Sequence, residues 1–233
     1  MAELSVIGPE DRRFATSTSL FHRLNGRSSD QLLRNASVRG YSKGEFIFRI
    51  GETPEFAHVV LSGCVALTGQ SDEGRNTVVE FLEPGECFVV AAVALDRPYL
   101  LSARAATEIR LLHIPAERIR ALIHSNHEFS ISVVEVLSEH WRQLVGQITD
   151  LKLKSSAQRL GAYLLTLSKG NSGNEVRLPS ERQLVAARLG MTPESLSRAF
   201  ARLRPFGVIG RGQSVQIKDP KRLRTFCEGR EGA

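Results

Sequence analysis

"MTPESLSRAFARLRPFGVIGRG", residues 191–212, decides how this chain is read. Thr192 stands as an N-cap and Pro193 occupies the first helical position, both favoured start signals. Leu196, Phe200 and Leu203 recur at helical spacing and form one apolar face. Glu194, Ser197, Arg198 and Ala201 repeat at the same spacing on the opposite face. That second face is short-chained and hydrogen-bonding, with a guanidinium fork in its middle, and it suits the edges of base pairs. Upstream, "LPSERQLVAARLG" (178–190) offers Ser180 as N-cap with Gln183 three residues on, a capping-box pattern. Gly190 then ends this first helix. Two short helices joined by a Gly-containing turn make a helix-turn-helix, whose second helix enters the major groove. After Pro205 and Gly207, "VIGRGQSVQI" (208–217) reads as a hairpin wing carrying Arg211 for backbone phosphates. An ordinary amphipathic helix pair with a solvated polar face shares this periodicity, so the pattern alone leaves both readings open.

Charge tips the balance. The chain carries a net +6, yet from Lys152 to the end there are 16 basic and 6 acidic residues, a net of +10. The remaining 151 residues hold 15 basic and 19 acidic, a net of −4. Phosphate neutralisation supplies most non-specific DNA affinity, so a basic module beside an acidic one points to double-stranded DNA. A membrane surface is the rival partner, but no segment is strongly basic and strongly amphipathic together.

Other global features set the class. At 233 residues the chain accommodates two modest domains. No apolar run approaches a membrane span, and the N-terminus lacks a secretion-signal pattern, so a cytoplasmic protein is expected. Cys64, Cys87 and Cys227 are odd in number and widely spaced, which disfavours a disulfide framework.

From about Arg39 to Ile114, short β-prone runs alternate with Gly, Pro and charged turns, the spacing of a sandwich or barrel-like roll. "SSDQLLRNASV" (28–38) reads as a short helix covering one end. A long helix is expected from Asn126 to Leu153. In it Val133, Leu137, His140, Leu144, Gln147 and Leu151 alternate by four and three, an a/d seam that suggests a coiled-coil homodimer. Dimerisation suits a major-groove reader, because two helices one DNA turn apart read a palindrome. The expected architecture is therefore α+β, with a sensor domain over 1–125, a dimerisation helix over 126–153 and a winged helix-turn-helix over 154–233.

A β-roll, a long dimer helix and a winged helix-turn-helix in that order resemble the CRP/FNR family of bacterial transcription regulators, over residues 20 to 226. The family's roll is the cyclic-nucleotide-binding jelly roll. The most specific segment is "PESLSR" (193–198). In FNR-like branches an E-x-x-S-R motif reads a TTGAT-type half-site, and Glu194, Ser197 and Arg198 fall on it one for one. The chemistry agrees independently: Arg pairs with guanine, Glu accepts from cytosine N4, and Ser serves either. CRP carries an Arg directly before the Glu, where this sequence has Pro193. The resemblance also implies activation through contact with RNA polymerase.

The sensor end departs from two branches. "PGECFVVAAVALDRPYLLSARAA" (84–106) keeps the Gly85-Glu86 pair of a cyclic-nucleotide cassette. Tyr99-Leu100-Leu101 stands where the phosphate-holding Arg-Ser-Ala belongs, so cyclic AMP is not expected. No cysteine precedes Cys64, which argues against an FNR-type iron–sulfur cluster. "LSGCVAL", "LKLKSSAQRLGAYLLTL" and "RQLVAARLGMTPESLSRAFARL" resemble the nitric-oxide-responsive branch, the DNR and NnrR regulators of denitrification. That resemblance implies bound haem, with His22 and His140 as candidate axial ligands among six histidines. The alternative is a regulator without haem, controlled by its abundance or by a thiol switch at Cys87. An enzyme acting on DNA would need clustered acidic metal ligands, which the basic domain does not offer; a non-enzymatic protein is expected.

Overall fold

The computed structural model describes residues 5–70, 76–168, 175–178 and 182–229. The chain divides into two compact units, Met1–Arg142 and Gln143–Ala233.

The first unit opens with strand β1 (Ser5–Val6), helix α1 (Pro9–Thr16) and helix α2 (Gly26–Leu32). The roll follows as β2 (Ser37–Tyr41), β3 (Phe46–Phe48), β4 (Phe56–Ser62), β5 (Val65–Gln70), β6 (Asn76–Leu82) and β7 (Cys87–Phe88). Helix α3 (Val90–Leu95), strands β8 (Ser102–Ala105) and β9 (Ile109–Pro115), and helix α4 (Ala116–Ser125) lead into α5 (His127–Leu153). Two sheets form, β1-β2-β9-β4-β7 and β3-β8-β5-β6, with antiparallel pairings throughout. Tyr41, Phe48, Val60, Leu82, Phe88, Tyr99 and Leu111 form one buried cluster of the roll. The helices cover the other face of the first sheet, where Leu20, Leu32, Leu112, Ile119, Phe129 and Val133 make a second cluster. Both faces of β4 are thus closed, which explains its nearly continuous apolar run. The reversal from β4 to β5 needs Gly63: its φ is +81°, and a Cβ there would lie 2.2 Å from the Glu108 carbonyl oxygen.

Asn126 caps α5, its Oδ1 accepting from the Phe129 amide at 3.0 Å. The expected seam requires correction in its first half. Val133 is buried in the unit's own core and Leu137 packs against that core, so neither is free to meet a second chain. The exposed apolar residues on α5 are Val134, Trp141, Val145 and Ile148, followed by Leu151 and Leu153. The first four step by seven, four and three, a stripe one residue round the helix from the expected one. Leu144 is half-buried. Two adjacent apolar stripes share this helix, and heptad counting cannot tell which one the roll consumes.

The second unit contains α6 (Ser156–Ser168), β10 (Glu175–Arg177), α7 (Arg182–Arg188) and α8 (Pro193–Leu203). A single 3₁₀ turn over Arg204–Phe206, strands β11 (Val208–Arg211) and β12 (Ser214–Ile217), and α9 (Pro220–Cys227) complete it. The wing holds one strand more than the hairpin expected from sequence. β12 lies in the middle, paired with β11 on one side and β10 on the other. The core gathers Leu160, Leu164, Val185, Leu196, Phe200, Leu203, Val215 and Leu223. Gly161 lets α6 and α9 approach; a Cβ on it would lie 2.6 Å from Cys227 Sγ.

Candidate functional site

The two-helix reader forms as the sequence predicts. Thr192 caps α8, its hydroxyl oxygen accepting from the Ser195 amide at 3.2 Å, and Pro193 opens the helix. Leu196, Ala199, Phe200 and Leu203 are buried beneath it. Glu194, Ser197, Arg198 and Ala201 are exposed on the other side. The Arg198 guanidinium donates to Ser195 Oγ at 3.2 Å, so the fork rests along the helix rather than in an ion pair. Hydrogen bonding from Thr192, then from the backbone, and the charge of Arg198 hold the Glu194 carboxyl below its ordinary pKa. It is ionised at neutral pH and acts only as an acceptor.

Gly190 makes the turn between the helices at φ +61°. Arg159 on α6 locks that turn by donating to the carbonyls of Leu189 (3.0 Å) and Lys154 (2.9 Å). Ser180 lies outside the described residues. So does the side chain of Arg211, whose backbone ends β11.

Sequence reasoning missed Arg182 and Arg204. Together with Ser197, Ala201, Ile209 and Gly210 they line a cleft of about 540 Å³ between α8 and the wing. Arg182 lies over the Phe200 ring at 4.7 Å and donates to the Gly212 carbonyl at 2.9 Å, joining α7 to the tip of the wing. Its position directly before the apolar run of α7 was the available signal, but nothing in the sequence shows the wing returning to it.

In the sensor unit, Gly85 adopts φ +94° and Glu86 accepts from the Glu83 amide within its own turn. The cassette that follows is built differently from an anion cradle. Tyr99 is buried, stacked on Phe48 with ring centroids 3.8 Å apart, while Leu100 is exposed. Arg104 donates to the Gly44 carbonyl at 2.8 Å, at the β2–β3 turn. Val89, the residue before α3, is β-branched yet held at φ +58°.

Comparison with known proteins gives this arrangement its place. Residues 38–126 match the cyclic nucleotide-binding domain and residues 158–226 the Crp-like helix-turn-helix domain. A solved regulatory protein of Silicibacter pomeroyi, provisionally described as cAMP-binding, is 36% identical, covering 93% of this chain and 98% of its own, with a TM-score of 0.64. This chain belongs to the CRP/FNR family of DNA-binding transcription regulators. The transcriptional activator Anr of Pseudomonas protegens is 28% identical over 82% of this chain and 80% of its own. The DNR structure from Pseudomonas aeruginosa is 27% identical, covers 94% of this chain and 99% of its own, and has a TM-score of 0.54. CRP/FNR regulators act as dimers on DNA, and no described helix here is long and apolar enough to cross a membrane.

The candidate haem ligands of this CRP/FNR chain are placed far from equivalently. His22 Nδ1 lies 2.6 Å from the Ser19 carbonyl and Nε2 lies 3.2 Å from Glu135, so both ring nitrogens are engaged. Arg23 beside it bonds the same Glu135 through two nitrogens and ties the arm to α5. His140 is half-buried, and burial lowers its pKa. It borders none of the described clefts. His22 would have to give up one of its two contacts to serve as an axial ligand. Cys87 is buried, and desolvation pushes its thiol up to about 12, which keeps it protonated and unreactive in this conformation.

A histidine pair that sequence reasoning passed over is better formed. His58 on β4 and His113 on β9 are direct cross-strand partners, both buried, with rings edge-on at 4.6 Å. Burial holds both neutral, His113 at about 4 and His58 well below its usual value. His113 Nε2 lies 3.1 Å from the Tyr41 hydroxyl. Their inward register within strands was the one signal in the sequence, but it needed the pairing of β4 with β9 to be legible.

Proposed function

We propose that this protein is a dimeric activator that reads an FNR-type TTGAT palindrome and switches on denitrification genes in response to nitric oxide. The observation that carries the reading is the exposed trio Glu194, Ser197 and Arg198 on a helix whose opposite face is fully packed. An acceptor, a two-way hydroxyl and a guanidinium one helical turn apart match successive base edges in the major groove. Arg182 and Arg204 flank them as phosphate partners, and phosphate contacts set register without reading sequence. The likeness to DNR and Anr supports the branch. RNA polymerase is the second partner of such an activator.

The test is a gel shift of the full chain on a TTGAT palindrome and on scrambled half-sites, with and without magnesium. Selective retardation without cleavage supports the reading. Equal binding to scrambled sites refutes the half-site assignment, and cleavage refutes a purely regulatory protein. Anaerobic titration with haem, followed by absorption before and after nitric oxide, tests the sensing step separately. A second reading is favoured by the engaged nitrogens of His22: a regulator of the same operator class that works without haem and follows its own abundance. Substoichiometric haem binding, with operator affinity indifferent to nitric oxide, selects that second reading.

A further inference from the structure

The sensor unit holds a cleft that shares no residue with the Gly85–Glu86 turn or with α3. It has a volume of about 560 Å³, and its walls include Arg39, Tyr41, Phe48, Phe56, His58 and Tyr99. The inner surface is aromatic. Phe48 stacks on Tyr99 at 3.8 Å and on His58 at 5.7 Å, and Phe56 meets His113 edge-on at 5.4 Å.

Two polar atoms on these walls are buried with no hydrogen-bond partner among the described residues: Arg39 Nε and His58 Nδ1. A buried polar atom without a partner is unfavourable, and native structures keep few of them. Here the two share one cavity. The rest of the Arg39 guanidinium lies 4.7 Å above the Tyr41 ring, and its nearest carboxylate, Glu45, is 3.7 Å from Nη2. Its Nε–H therefore remains available for an acceptor. His58 is 3% exposed, and its neutral ring can donate or accept at Nδ1 according to tautomer. Pockets with mostly aromatic walls and a few converging polar groups are the usual form of a small-molecule site.

We propose that this cleft, which meets the cyclic-nucleotide cassette only at Tyr99, is a binding site for a small aromatic carboxylate. The ring enters between Phe48, Phe56 and Tyr99, and the carboxylate accepts from Arg39 Nε, a charge-assisted bond of the stronger class. His58 Nδ1 pairs with a second polar substituent where the molecule has one. Glu52 and Glu55 also border the cleft, but both are exposed at its rim. Water screens them, whereas Arg39 Nε is closed off from it. A free amine would be drawn to that rim instead, so the charge of the preferred ligand discriminates between the two ends of the cleft. The site does not depend on which operator the protein reads.

The experiment is isothermal titration calorimetry of the full chain with three probes of one skeleton: phenylacetate, 4-hydroxyphenylacetate and phenethylamine. Phenylacetate is expected to bind saturably at one per chain, and phenethylamine at least tenfold more weakly. Arg39→Gln, at a half-exposed position that tolerates the change, should weaken phenylacetate at least tenfold and leave the melting temperature within a few degrees. His58→Phe keeps a ring in place and should leave phenylacetate bound while removing any advantage of 4-hydroxyphenylacetate over it. Tighter binding of the amine, phenylacetate affinity indifferent to Arg39→Gln, or no saturable binding of any probe up to millimolar concentration would each overturn the proposal.

Discussion

Trp141 is the residue whose loss tests the assembly of this protein most sharply. In the single chain its surface is 68% open to water, in one stripe with the exposed Val134, Val145 and Ile148. A tryptophan buries about 150–250 Å² when fully covered, so a partner helix could cover roughly 100–170 Å² of it. At about 25 cal/mol per Å² this is worth about 2.5–4 kcal/mol for each tryptophan. Even one at the low end corresponds to a roughly 60-fold weaker dimer, and each dimer contains two. Trp141→Ala should therefore dissociate the dimer at micromolar concentration while leaving circular dichroism and melting of the protomer nearly unchanged. Sedimentation velocity over a dilution series is the measurement. Val145→Ala and Ile148→Ala should act in the same direction with smaller effect. The reasoning fails if Trp141→Ala leaves the dissociation constant within twofold, or if Leu144→Glu alone splits the dimer while Trp141→Ala does not.

Three further outcomes follow from the geometry. Arg198→Ala should cost about 1–3 kcal/mol at one base pair and relax selection there, as binding to single-substituted operators would show; an even loss across scrambled sites would misplace the reading face. Gly161→Ala should destabilise the DNA-binding unit by about 1–3 kcal/mol through overpacking, although alanine is the better helix former. Cys227→Ala in the same chain should recover part of that loss, because the clash is with its sulfur at 2.6 Å. His58 and His113 have pKa values depressed in the folded state, so below about 6.5 the unfolded chain binds protons that the folded chain refuses. Stability of the sensor unit should then fall as pH drops from about 6.5 toward 4, by up to about 1.4 kcal/mol per pH unit for each histidine. Replacing both with phenylalanine should flatten urea midpoints across that window.

The DNA-binding unit was legible because its signals are local. Thr192, Pro193, Gly190 and the i, i+4 placement of Leu196 and Phe200 each specify a cap, a turn or a face within a few residues. The long helix was legible for the same reason. What escaped depended on partners distant in sequence. β10 is three residues long and becomes a strand only by pairing with β12, some forty residues later. Seam and core stripes lie one residue apart on α5, and only the roll decides that Val133 turns inward and Val134 outward. α3 had no local start signal, because its N-cap Val89 adopts a left-handed backbone, a conformation that β-branched residues disfavour. His58 and His113 looked like two of six scattered histidines until strand register made them neighbours.

The pairing of β10 with β12 has a mechanical consequence. The segment containing α7, the Gly190 turn and α8 leaves one sheet at Arg177 and returns to it at Val208, where β11 begins. The Leu178 amide bonds the Gln213 carbonyl at 2.8 Å, and the Lys218 amide bonds the Gly207 carbonyl at 2.9 Å, clasping the loop at its base. A loop fastened at both ends to one small sheet cannot swivel its recognition helix while the wing stays still. Helix and wing must travel as one piece, like type set in a printing block, so their spacing against a groove is fixed before any DNA is met. An effector can then change where the block is carried, but not the letters cut into it.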